Sequence, residues 1–333
     1  MLHIHNGDCS ANIARRSSLP GEHFAWRESL ITGPTPAGLS ADDWRKLRAQ
    51  HLSETYGVDL QECERGLLSQ EEKLKTISDH EEVVLWFEHD LFCQVHLLYL
   101  LDWFAVQTPG TTKLSLTCIN QFPGKQNFHG LGELTSDEFA SLFPTRAEVT
   151  AQQLQLAQVA WQAYGSPAPT DLEKVLQTDT SALPFLDAAL SAHLQRFPNS
   201  NNGLGCIENR SLQLIAVGAN GFSDLFLKFR EAEPVYGLGD AQFWLALWQM
   251  INAREPLLEI EDIPKDTLIE RMLTPAIVQK AKFRLTAAGE SVLRNEADFV
   301  TLNGIDLWLG GVHLSGKTNI WRWDHETTSL NVK

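Results

Sequence analysis

Paired cysteines and long apolar runs are both missing from these 333 residues, and basic side chains are in deficit. The five cysteines, at 9, 63, 93, 118 and 206, are odd in number and scattered, with no CxxC pair. That argues against a disulfide framework and a structural zinc site, and it fits a reducing compartment. No run approaches the roughly 18 to 20 apolar residues that cross a bilayer, and the first residues enter a strand pattern rather than a signal peptide. A cytoplasmic location without membrane association is therefore expected. Against 42 acidic residues stand 27 basic ones, a formal charge of −15 that opposes approach to a phosphate backbone. Nucleic acid is an unexpected partner, and the short clusters Arg15-Arg16 and Arg45-Lys46-Leu47-Arg48 read as solvated helix faces.

What is present is 43% hydrophobic residues, enough at this length for more than one core. Residues 1–8 alternate and break at Gly7-Asp8, and Cys9 to Arg16 reads as a helix with Asp8 or Ser10 as its cap. Polar helices follow over about 40–56 and 60–78. The run Val83-Val84-Leu85-Trp86-Phe87 suits an interior parallel strand, Leu91 to Phe104 the helix after it, and Leu114 to Ile119 a further strand. This β-α-β-α-β order predicts an α/β fold, with a parallel, Rossmann-like sheet in residues 1–134. A helical segment is expected over 135–198, with Pro198 to Gly203 as a linker to a third part, 204–333.

Two strand ends carry reactive groups where ligands bind in open α/β sheets. At the first, Asn6, Gly7, Asp8, Cys9 and Ser10 form a turn whose N–H groups and helix terminus suit an anion, and Cys9 there is a candidate nucleophile. At the second, Glu88, His89 and Asp90 pack three titratable groups together, which suits general acid/base work. Side-chain alternation sends Glu88 and Asp90 one way and His89 the other, and Asp90 also fits as a helix cap. Arg27 is placed to hold a carboxylate or phosphate, or to form a salt bridge. His129 and Gly130 follow the third strand. No metal is assigned, and no cofactor is identified. The tryptophan- and glycine-rich stretch from Leu302 to Asp324 reads chiefly as packing.

The last part resembles a winged helix: helices near 207–217, 221–231 and 240–253, then strands at Leu257 to Ile260 and Lys282 to Thr286. In such domains the third helix carries basic or amide groups to the major groove. Here Asp240 to Met250 lacks a basic residue and is mostly apolar, so it is expected to be buried rather than to read DNA.

The Asn6-Gly7-Asp8 turn, Leu85 to Phe92, Phe128 to Gly132 and Leu309 to Leu314 together are similar to bacterial proteins grouped as domain of unknown function 1835. The resemblance spans nearly the whole chain. Cys9 stands where members of that family often have serine. The family implies an architecture and no reaction. Two functions remain open: an enzyme or binder of a small anionic or nucleotide-like ligand at the carboxyl edge of the first sheet, or a regulatory adaptor whose winged-helix-like part meets a protein partner. A homo-oligomer is compatible with either.

Overall fold

The computed structural model describes residues 1–107, 111–126, 128–261, 278 and 280–333. Five strands form its main sheet: β1 (Leu2–Asn6), β2 (Glu22–Trp26), β3 (Glu82–Glu88), β4 (Lys113–Ile119) and the short β5 (Ala147–Glu148). They lie in the order β2-β1-β3-β4-β5, parallel except for the antiparallel edge strand β5. β2 went unread in the sequence because it lies at the sheet edge, with Glu22 and His23 diluting its apolar residues.

Helix α1 (Asp8–Arg15) carries the chain outward to β2, and α2 (Ala41–Tyr56) and α3 (Leu60–Lys75) return it across β1 to β3. The connections thus diverge between β1 and β3, and at such a divergence the carboxyl ends of neighbouring strands leave a crevice. Between Glu82 and Glu88 β3 is wholly apolar, and it is buried on both faces, as its interior position requires. On one face Leu2, Ile4, Leu85 and Phe87 meet α4 (Leu91–Val106), with α6 (Ala151–Tyr164) and α8 (Leu186–Leu194) beyond it. On the other, Val84 and Trp86 meet Ile13 and Ala14 of α1 and Phe139 of α5 (Ser136–Ser141). The helical segment also includes α7 (Thr170–Leu176) and donates β5 to the sheet.

Residues 198–203, read as a linker, are packed: Asn199 and Asn202 are buried and bonded to each other, and Asn199 Nδ2 also donates to the Leu204 carbonyl. One local expectation is overturned: Arg48 is not solvated. It is fully buried, paired at 2.8 Å with Glu28, and it donates to the carbonyls of Ser29, Thr32 and Pro34, so it ties down the loop after β2.

The C-terminal part has α9 (Cys206–Ala216), α10 (Phe222–Ala232) and α11 (Asp240–Ile251), then antiparallel β6 (Leu258–Glu261) and β7 (Lys282–Leu285). Gly221 bridges to Lys282, adding the α9–α10 connection to that pair. After α12 (Ala287–Leu293) and α13 (Phe299–Asn303) come two hairpins, β8 (Ile305–Leu309) with β9 (Val312–Gly316) and β10 (Trp321–Asp324) with β11 (Ser329–Val332). The glycine pair at the first hairpin's turn has a steric cause. Gly311 N–H donates to the Tyr164 carbonyl, and a Cβ on Gly311 would come within 2.0 Å of the Gly165 carbonyl oxygen.

Candidate functional site

The two reactive strand ends have opposite surroundings. At the end of β1, Gly7 takes φ 94°, a conformation open to glycine, and α1 begins directly at Asp8. Neither Asp8 nor Ser10 caps α1, contrary to expectation, since no side chain caps that terminus. Asp8 instead accepts two hydrogen bonds from Arg27, at 2.6 and 2.7 Å, which hold its carboxyl below the usual range. Both partners are largely solvated, 47% and 62% exposed, so the pair adds little stability. Cys9 is exposed and Ser10 buried.

At the end of β3 the groups are enclosed. Asp90 caps α4, its Oδ1 accepting the Cys93 N–H at 2.8 Å. Glu88 Oε2 accepts the Cys93 thiol at 2.9 Å, while Oε1 accepts the Leu131 N–H. Oxygens of Glu88 and Asp90 and the Cys93 sulfur lie within 4.8 Å of one another. The common aim expected of the two carboxylates is found, although β3 ends at Glu88 and Asp90 is already the cap of α4; His89, expected to point away, lines the same pocket as both. Burial, with the Asp90 charge second, raises the Glu88 carboxyl to about 7; the bonds from Cys93 and Leu131 pull the other way. Burial likewise raises Asp90, against the Cys93 N–H, and it pushes the Cys93 thiol far up, so Cys93 is a neutral donor.

A directed chain of hydrogen bonds orients this cluster. Leu30 N–H donates to His96 Nε2 at 3.2 Å, which leaves the ring proton on Nδ1 to meet Asn6 Oδ1 at 2.9 Å. The Asn6 amide then donates to Cys93 Sγ at 2.8 Å, and the thiol to Glu88. Each donor points the same way, so the amide, thiol and imidazole are all satisfied while converging on one carboxyl.

Residues from two distant segments roof the cluster. Gly130, at φ 140°, lies against Glu88, where a Cβ would be 2.7 Å from Oε1. Gly237, at φ 62°, lies against Asp90, where a Cβ would be 2.1 Å from Oδ1. Beneath this roof an inner pocket of about 160 Å³ is lined by Asn6, Glu88, His89, Asp90, Cys93 and His129 among others. It shares His89, Phe128, His129, Arg230 and Pro234 with an outer cleft of about 770 Å³, which adds Lys125, Phe122 and three side-chain amides. His89 Nδ1 is buried there without a hydrogen-bond partner among the described residues.

Of the residues singled out in the sequence, the crevice gathers Asn6, Glu88, His89, Asp90 and His129, and Gly130 packs on Glu88. Gly7, Asp8, Cys9, Ser10 and Arg27 do not line it. Sequence reasoning missed Cys93 and His96, which sit three residues apart on α4, and the roof from α10 and the turn after it, including Arg230. The Asp90-x-x-Cys93 capping interval was the one local signal available. As expected, α11 is buried: Trp244 is 1% and Trp248 9% exposed, which closes that face to a docking partner. Among the described residues no helix is long and apolar enough to cross a membrane. Comparison with protein-family models and with curated proteins returns no match.

Proposed function

We propose that the crevice at the carboxyl edge of the sheet binds a small anionic, nucleotide-like ligand and that Glu88 exchanges a proton with it. The observation that carries this reading is the convergence of two carboxyls, Glu88 and Asp90, within 4.8 Å on the lining of one pocket, where burial and their mutual repulsion raise the Glu88 carboxyl toward neutral pH, as giving and taking a proton requires. The outer cleft supplies cationic and flat apolar groups. Arg230 stands 4.0 Å from Glu133 and Lys125 3.4 Å from Glu138, loose surface pairs that an anion can replace. Phe122 and Phe128 offer aromatic faces for a planar group. The unpartnered His89 Nδ1 is a ready donor or acceptor. Asn6, Cys93 and His96 position Glu88 from behind.

In this reading the three helices α9 to α11 with β6 and β7 make a winged-helix-like unit that serves as the roof of a Rossmann-like domain rather than as a DNA reader. Its third helix is buried, and α10 supplies Arg230 to the cleft. The motif resemblance to domain of unknown function 1835 is compatible with that architecture.

Titration calorimetry with AMP and with adenosine at low ionic strength tests the proposal. AMP should bind at least about tenfold more tightly than adenosine, the contribution of one charge-assisted contact, and Arg230→Ala should remove the difference. Failure of AMP to bind, or equal affinity for both compounds, overturns it.

A further inference from the structure

A second cavity lies on the other side of Leu238 from the crevice, where the loop after β2, helices α2, α9 and α11, and strand β8 meet. Its volume of about 310 Å³ falls at the small end of the roughly 300 to 1,000 Å³ of ligand sites. Arg196 lines it and is 9% exposed. One of its N–H groups donates to the Ile31 carbonyl at 2.7 Å and another meets His193 Nδ1 at 3.4 Å, on a ring that burial keeps neutral. The Tyr164 hydroxyl also lies beside the guanidinium, but all these partners are uncharged, and no carboxylate forms an ion pair with this cation among the described residues. A buried unpaired charge is costly, so the site is built for an anion.

Glu208 lines the same cavity. Its Oε2 folds over Gly205, where a Cβ would be 2.7 Å away, and it too has no ion pair among the described residues. Burial raises its carboxyl, with Arg196 only partly offsetting the effect. Glu54 and the 84%-exposed Asp306 add negative charge to the lining. A simple anion reaching Arg196 would meet these acids. A ligand with both charges would satisfy the buried cation and the carboxylates together.

We propose that this cavity binds a free α-amino acid, with its carboxylate on Arg196 and its ammonium on Glu208. The Gln242 and Gln249 amides on α11 are at hand for the side chain.

Calorimetry of the full chain against each of the twenty L-amino acids tests this. At least one should bind saturably, and its carboxamide and its deaminated acid should each bind at least about tenfold more weakly, since either change leaves one buried charge unpaired. Glu208→Gln should weaken the amino acid by a similar factor, and Ala246→Phe, which fills the cavity from α11, should abolish binding. Failure of all twenty to bind overturns the proposal. So does a bound amino acid whose affinity is unchanged by amidation or by Glu208→Gln.

Discussion

The ends of β1 and β3 use one local design, a buried strand followed by acidic residues just before a helix, and they reach opposite electrostatic outcomes. Asp8 faces solvent, gains Arg27 and is held ionised. Glu88 and Asp90 face each other beneath Gly130 and Gly237, have no cationic partner in an ion pair among the described residues, and are driven toward the protonated form. The lesson is that a motif places a carboxyl, while the chain that covers it decides its chemistry. The cover over β3 comes from segments well downstream, Gly130 over Glu88 and Gly237 over Asp90.

The largest expected effect breaks that cover. Gly237→Ala puts a methyl group on the Asp90 carboxylate and a side chain in left-handed backbone, and should destabilise by about 4 kcal/mol from overpacking plus strain. Gly7→Ala at the other turn meets no atom within 4 Å and should cost about 1–2 kcal/mol from backbone strain alone. Urea denaturation of both variants ranks them, and equal losses would erase the contrast.

Next comes pH. The folded Glu88 carboxyl at about 7 lies above its unperturbed 4.5, so the folded chain holds the extra proton and stability declines as pH rises through that window. Burial acts oppositely on His96, lowered to about 3, and His3, lowered to about 4, both from 6.5. There the unfolded chain holds more protons, and stability declines as pH falls below 6.5. Glu88→Gln removes only the first slope. Relative to the wild type it should gain on the order of 3 kcal/mol between pH 4.5 and pH 8. Denaturation curves at the two pH values measure this, and parallel profiles would contradict it.

A smaller contrast separates the two aspartates. Asp90→Ala loses the cap of α4 and should cost about 1–2 kcal/mol. Asp8→Ala breaks an exposed pair and should cost under about 1 kcal/mol. Thermal melts of the two variants at neutral pH check the order, which a greater loss for Asp8→Ala would reverse.

How far the sequence could be read follows the same division between motif and cover. β1 was legible from its alternation, β3 and β4 from their short runs rich in apolar residues, and the C-terminal helices and strand pair from their regular spacing. β2 was not, as an edge strand needs apolar residues less. The common aim of Glu88 and Asp90 was visible in strand alternation. Cys93 and His96 were hidden because α4 is apolar nearly all round, so its pattern marks no preferred face. Arg48 looked solvated among neighbouring charges, and only the fold brings Glu28 to it.

The central claim concerns one proton. A carbon-13 carboxyl NMR titration, with the Glu88 resonance assigned by its loss in Glu88→Gln, should show a midpoint of about 7. A midpoint at the ordinary 4.5 would show that the roofed crevice does not hold that proton, and the acid/base reading would fall with it.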